Sequence, residues 1–305
     1  MSASKIARVT DVTDCSTISS VLLKSNTDFS PEVIPVTFPG IKDGGSRAIV
    51  RRDIGEVIST VSNRYRVNDH MAQLRTLEPL IQAGTILPVS VSEWDSGAVL
   101  AYQFRCPDLD VTVHGKDMVS PLLTLAFAYG FPLADSAFFA DFRWFCKNQL
   151  GTVAKLNRDQ RVHHRGNVQI RYADMLTGRI QQLGGELADR YSAMRKMLTA
   201  PLSGRGLVEY VGKVMKADKA DLEKAWVAPK EECTGNAARI HEVLECYAVD
   251  DCGAPGKVWQ AFNAITRYQT HKAGRTEASR QRTMLLGTGN DVARRAWDLA
   301  VVEAQ

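Results

Sequence analysis

Residues 142–172 read FRWFCKNQLGTVAKLNRDQRVHHRGNVQIRY. The stretch opens at the end of a strand predicted over 136–145. It continues through a short helix over 146–156 and a loop, then enters a long helix running from 168 to 198. That helix carries Tyr172, Leu176, Ile180, Leu183, Leu187, Tyr191, Met194 and Leu198 at alternating steps of three and four, the stripe of a helix lying on a sheet or on a partner helix. Aromatic strand, cationic loop and amphipathic helix in that order predict an α+β core, a twisted antiparallel sheet packed by one long helix. The same stretch holds Arg143, Lys147, Lys155, Arg158, Arg161, Arg165 and Arg171 against a single acid, Asp159, with His163 and His164 adding pH-dependent charge. A cationic loop held between packed elements is an anion site, and phosphate is the commonest large anion.

Working outward toward the N-terminus, short β-prone runs dominate. A strand over 33–38 is followed by a hairpin, 47–51 and 57–61, joined by Arg52-Asp53-Ile54-Gly55. Arg51, Arg52 and Arg64 cluster there, beside Tyr65. Asn68 or Asp69 caps a helix predicted over 69–82, ended by Ala83-Gly84. Strands at 86–94, 98–106, 111–114 and 119–129 follow. Residues 1–30 have weak periodicity and read as a mobile or peripheral arm with a short helix at 15–24, capped by Thr13 or Asp14. Toward the C-terminus, Pro201 marks a change. Beyond it the pattern is helical only, at 206–216, 218–226, 236–247, 256–272 and 291–303. The division is an arm over 1–30, a core over 31–200 and a helical subdomain over 201–305. A second basic segment, Arg267, Lys272, Arg275, Arg280 and Arg282 with His271, lies in that last part.

The formal net charge of +4 over 305 residues is mild, so clustering rather than total charge carries the polyanion reading. The chain lacks an apolar signal run and any stretch long enough to span a bilayer, so a cytoplasmic protein without membrane contact is expected. The six cysteines form no C-x-x-C pair, and free thiols in a reducing compartment are expected. Cys233, Cys246 and Cys252 with His241 leave a metal site conceivable, although its spacing is looser than zinc sites use. There is no phosphate-binding G-x-x-x-x-G-K-[ST] loop, no G-x-S-x-G elbow and no H-E-x-x-H pair. Gly287-Thr288-Gly289-Asn290 reads as a helix entry. For His163 and His164 three readings stay open: a phosphate contact, plain surface, or catalysis or metal binding. No catalytic residue, metal ligand or cofactor is assigned.

The segments VRRDIGEVISTVSNRYRVND (50–69), FRWFCKNQLGTVAK (142–155), HHRGNVQIR (163–171), GKVWQAFNAITRYQTH (256–271) and LLGTGNDVARRAWDLA (285–300), in this order, resemble the plasmid- and phage-borne family catalogued as domain of unknown function 932. The chain departs from that family at YGFPLADSA (129–137), where a His-Asp-Gly-Ser-like turn is usual. The resemblance implies no established activity. It does imply a setting on mobile elements, near recombination and single-strand-binding functions. Together with the basic segment it leads to a DNA-binding protein of a mobile element, binding or annealing single strands as a homo-oligomer. The expected contacts are Arg143, Lys147, Lys155, Arg158, Arg161, His163, His164, Arg165, Arg171, Arg51, Arg52 and Arg64 to phosphates, with Trp144 or Tyr172 stacking on bases. Two other readings are an adaptor or inhibitor that binds a host protein, and a metal-dependent nucleic-acid enzyme using His163, His164 or Asn148.

Overall fold

The computed structural model describes residues 7–37, 45–115, 117–130, 135–144, 147–155, 172–250 and 253–305. The fold is α+β, with antiparallel strands first and helices after. The strands are β1 (Arg8–Asp11), β2 (Glu32–Pro35), β3 (Ser46–Arg51), β4 (Glu56–Ser62), β5 (Leu87–Trp94), β6 (Val99–Arg105), β7 (Val111–His114), β8 (Asp117–Ala128), β9 (Ser136–Arg143) and β10 (Asn148–Lys155). Among them lie the helices α1 (Ile18–Ser25), α2 (His70–Arg75) and α3 (Glu78–Gln82). After them come α4 (Tyr172–Met197), α5 (Gly204–Met215), α6 (Lys219–Val227), α7 (Gly235–Val249), α8 (Val258–Arg267), α9 (Glu277–Leu286) and α10 (Thr288–Glu303). The large sheet has the order β1-β5-β6-β8-β9-β10, with β7 paired to β8, and β2-β3-β4 form a small sheet.

The chain divides into two compact units. One comprises 1–108, 121–139 and 153–181; the other comprises 109–120, 140–152 and 182–305. The boundaries fall after residue 108 and inside β8, β9, β10 and α4.

In the first unit, the segment expected to be a peripheral arm instead supplies structure. β1 pairs antiparallel with β5, Arg8 opposite Glu93. α1 starts with a capping box in which Thr17 and Ser20 satisfy each other's exposed backbone groups, so the cap is Thr17 and not Thr13 or Asp14. Ile18, Val21 and Leu22 of α1 are buried. The hairpin forms as the Gly55-containing loop predicts, with Gly55 at φ +68°. The helix expected over 69–82 is two helices. Asp69 caps α2 by accepting from Ala72 N, and Pro79 sits in the first turn of α3, where its missing N–H costs nothing.

In the second unit, Leu183, Leu187 and Met194 of α4 are buried as the stripe requires, and Tyr191 and Leu198 are partly buried. One core joins Met194 and Met197 to Val113, Val119, Leu150 and the inner faces of α5, α7, α8 and α10. The helix expected over 146–156 is instead the strand β10. Gly151 holds φ +102°, outside helical backbone, and a Cβ there would lie 3.1 Å from Ala293 Cβ of α10. The sequence pattern also missed α9, whose apolar stripe is thin: only Ala278, Met284 and Leu285 are buried.

Candidate functional site

Alternation along β9 puts Asp141 and Arg143 on the same face as Ala137 and Phe139, and all four are buried. A buried guanidinium is tolerated only when paired and hydrogen-bonded. Arg143 meets both conditions. Its Nε donates to Asp117 Oδ1 at 2.6 Å, and its Nη1 donates to Asp250 Oδ1 at 3.0 Å. The indole Nε1–H of Trp259 fills the other oxygen of Asp117 at 3.2 Å. One step along β9, Arg190 Nε donates to Asp141, and the Arg190 guanidinium lies 3.6 Å above the Trp297 ring. Burial pushes the Asp141 carboxyl up, and the Arg190 charge opposes that shift.

Beyond this ionic layer, β10 runs along α8 and a π-helical turn, Tyr268–Lys272. Wholly buried Asn148 donates from Nδ2 to the Asn263 carbonyl at 3.5 Å and accepts from His271 Nε2 at 3.0 Å. The Gln149 backbone N–H donates to Thr270 Oγ1 at 3.3 Å. The Thr270 hydroxyl thus occupies one backbone N–H of β10, the last strand in the sheet order. The Gln149 amide nitrogen and the Asn263 amide oxygen are buried with no hydrogen-bond partner among the described residues.

The first unit has its own buried polar groups. Arg51 Nη1 donates to Glu93 Oε1 at 2.7 Å, Nη2 donates to Asp53 Oδ2 at 2.5 Å, and the guanidinium lies 3.6 Å over the Phe29 ring. Glu93 has a second cation, Arg8, at 2.7 Å. Nearby, His70 Nε2 is 2.8 Å from the Thr27 carbonyl, which only accepts. Nε2 therefore carries the proton, and Nδ1 accepts from the Tyr129 hydroxyl. Tyr102 donates to Thr27 Oγ1 at 2.9 Å. Burial lowers the His70 pKa to about 4 and raises the phenols of Tyr102 and Tyr129.

The residues expected to meet phosphate separate accordingly. Arg51 and Arg143 are corrections: both are buried, and their guanidiniums are engaged with carboxylates inside the fold. Trp144 is half-buried, donates Nε1 to Ser120 Oγ at 2.6 Å and packs edge-on against Phe142. Arg52 is exposed and paired with Glu32, and Arg64 and Lys147 are exposed. Lys155 ends β10 and Tyr172 begins α4. Arg158, Arg161, His163, His164, Arg165 and Arg171 lie outside the described residues.

A family model described as Domain of unknown function (DUF932) matches residues 57–297. The chain belongs to this family. No curated protein and no solved structure matches the chain. Within this DUF932 chain, three of the segments that carry the resemblance meet in the second unit. The 142–155 segment reaches 256–271 through Asn148 and Asn263, and reaches 285–300 through Gly151 and Ala293.

Sequence reasoning missed Asp117, Asp141, Asp250, Arg190 and Trp259. A signal for the first steps was present: Arg143 stands two residues from Asp141 and four from Phe139 in a strand, so all three share a face that Phe139 requires to be inside. Asp250 and Trp259 are more than a hundred residues away, and no local pattern points to them. Among the described residues no group of three or more His, Cys, Asp or Glu side chains is arranged to hold a metal ion. No helix of the described residues is long and apolar enough to cross a membrane.

Proposed function

We propose that the chain is a mobile-element DNA-binding protein that holds single strands, and anneals them, as a homo-oligomer. The observation that carries this reading is the charge of the segment that follows β10. β10 leads directly into 155–171, where Lys155, Arg158, Arg161, Arg165 and Arg171 face one acid in sequence, Asp159. At its other end β10 is bonded to the turn of the second basic segment, through Asn148 to His271 and Gln149 to Thr270. Lys147, one residue before β10, is exposed, as is Arg275. A run of cations close together in sequence suits a ligand whose charge repeats along a backbone. With Arg143 assigned to the interior, the phosphate contacts are Lys147, Lys155, Arg158, Arg161, His163, His164, Arg165 and Arg171.

The test is fluorescence anisotropy with a labelled single strand and its duplex across a salt series. Single strands should bind more tightly. Replacing Arg158, Arg161 and Arg165 together by alanine should lower the slope of log affinity against log salt by about 2, from three lost phosphate contacts at roughly 0.7 each. Unchanged affinity and slope in the triple variant would show the surface to be misassigned. Absence of binding by the unaltered chain at low salt would end the nucleic-acid reading.

A further inference from the structure

In the second unit α5 and α6 bound an open cavity of about 270 Å³. Its floor is apolar, formed by Val208, Leu222 and the indole of Trp226. The two helices approach closely at Gly212, where a Cβ would lie 2.1 Å from Leu222 Cδ2. Of the five tryptophans, Trp94 and Trp259 are buried and Trp144 and Trp297 are partly buried, whereas Trp226 is 46% exposed. Trp226 therefore presents more of its ring to solvent than the other four.

The rim supplies the charge. Arg205 is committed to the two carboxylates of the cavity, Glu209 at 3.2 Å and Glu223. Lys213 leans on Glu303 at 3.7 Å. Lys219 is exposed and has no carboxylate partner among the described residues. An aromatic floor beside an unneutralised ammonium matches a flat aromatic ring that carries a phosphate on its neighbour. The volume admits one base. A duplex keeps its ring faces stacked on one another, so only an unpaired base can present one to Trp226.

We infer that this cavity is a stacking pocket for one unpaired nucleobase of a bound single strand, with Lys219 holding the adjacent phosphate. The inference rests on the single-strand reading above and adds to it the site that distinguishes single strands from duplex. It is tested on the full chain with two probes, a labelled thymidine oligonucleotide of about 15 nucleotides and inorganic polyphosphate, which has the charge without the bases. Trp226→Ala should weaken oligonucleotide binding about 10-fold, in line with the loss of one stacked base, and leave polyphosphate binding unchanged. Trp226→Phe, which keeps a ring, should stay within about 3-fold. Lys219→Glu, an exposed change that spares the floor, should weaken the oligonucleotide as well. Thermal melting of each variant checks the fold. If the unaltered chain binds the oligonucleotide and Trp226→Ala and Lys219→Glu bind it equally well, the pocket is overturned while the single-strand reading stands. If the unaltered chain does not bind the oligonucleotide, the reading itself falls and the pocket with it.

Discussion

Arg51 in the first unit and Arg143 in the second solve the same problem in different ways. Each is a buried arginine at the end of a strand, held by two carboxylates. Around Arg51 the arrangement is redundant and partly wet. Asp53 is 43% exposed, and Glu93 keeps Arg8 as a second cation. Around Arg143 it is closed: Asp117 and Asp250 are both buried, and among the described residues Arg143 is the one cation paired with them. A charge with a spare partner or with water tolerates the loss of one member. A closed triad does not, because the remaining carboxylates are left charged in a medium that solvates them poorly. The second unit should therefore depend on one guanidinium to a degree that the first does not.

The largest expected effect follows from that asymmetry. Arg143→Leu should cost about 3–5 kcal/mol, measured as a shift in the urea unfolding curve, because two buried carboxylates lose their cation together. A loss under about 1 kcal/mol would mean that water or another cation reaches them. Next in size is the response of the first unit to acid. The folded pKa of His70 is lowered to about 4, below its ordinary 6.5. Above pH 6.5 both folded and unfolded chains hold the ring neutral, and its contribution to stability is intact. Below pH 6.5 the unfolded chain takes up a proton that the folded chain refuses, so stability falls, by about 3 kcal/mol on reaching pH 4. In His70→Gln that component of the acid slope should vanish. An identical slope in both chains would place the ring in contact with water.

Arg51→Leu should cost less than Arg143→Leu, about 2 kcal/mol, since Arg8 continues to hold Glu93. Adding Arg8→Ala tests the redundancy directly: the double variant should lose more than the two single variants summed. Additive losses would show that Arg8 is no substitute. The smallest effect is expected for Asp53→Asn. The Arg51 hydrogen bond holds the Asp53 carboxyl below its ordinary range, but at 43% exposure water screens the pair, and a loss of under about 1 kcal/mol is expected.

Local physics made much of the architecture legible. The hairpin at 47–61, the Asp69 cap, the strands from 86 to 145 and most of the C-terminal helices follow from period, caps and turn residues. The failures have equally local causes. Gly151 and Lys147, at φ +102° and φ +53°, take backbone that a helix excludes, so a run with acceptable helix propensity becomes β10. β1 was obscure because a four-residue strand has too few positions to show alternation, and pairing with β5 is what fixes it. Of the candidate site, the cationic character of 142–172 was legible, but the separation of its arginines was not. Arg143 shares a face with Phe139, which assigns it to the interior; the partners that make that position tolerable lie on β8 and after α7. Trp226 gave no sign at all, since an exposed and a buried tryptophan have the same letter and much the same neighbours.

The division of the chain has a consequence for how the protein is made. The first unit needs residues 153–181 as well as the first 108, and the second combines 109–120 and 140–152 with everything after 182. On a ribosome, which delivers the chain from its N-terminus, the strands of the first unit wait for residue 181. The hairpin of β7 and β8 waits longer still, for Asp250 and Trp259. Through that interval Val113, Val119 and Leu150 are synthesised without the helices they pack against. A stalled or truncated message ending near residue 200 would hold every residue of the first unit but leave 109–120 and 140–152 without the helices that complete the second, so early termination there should cost one unit and not the other.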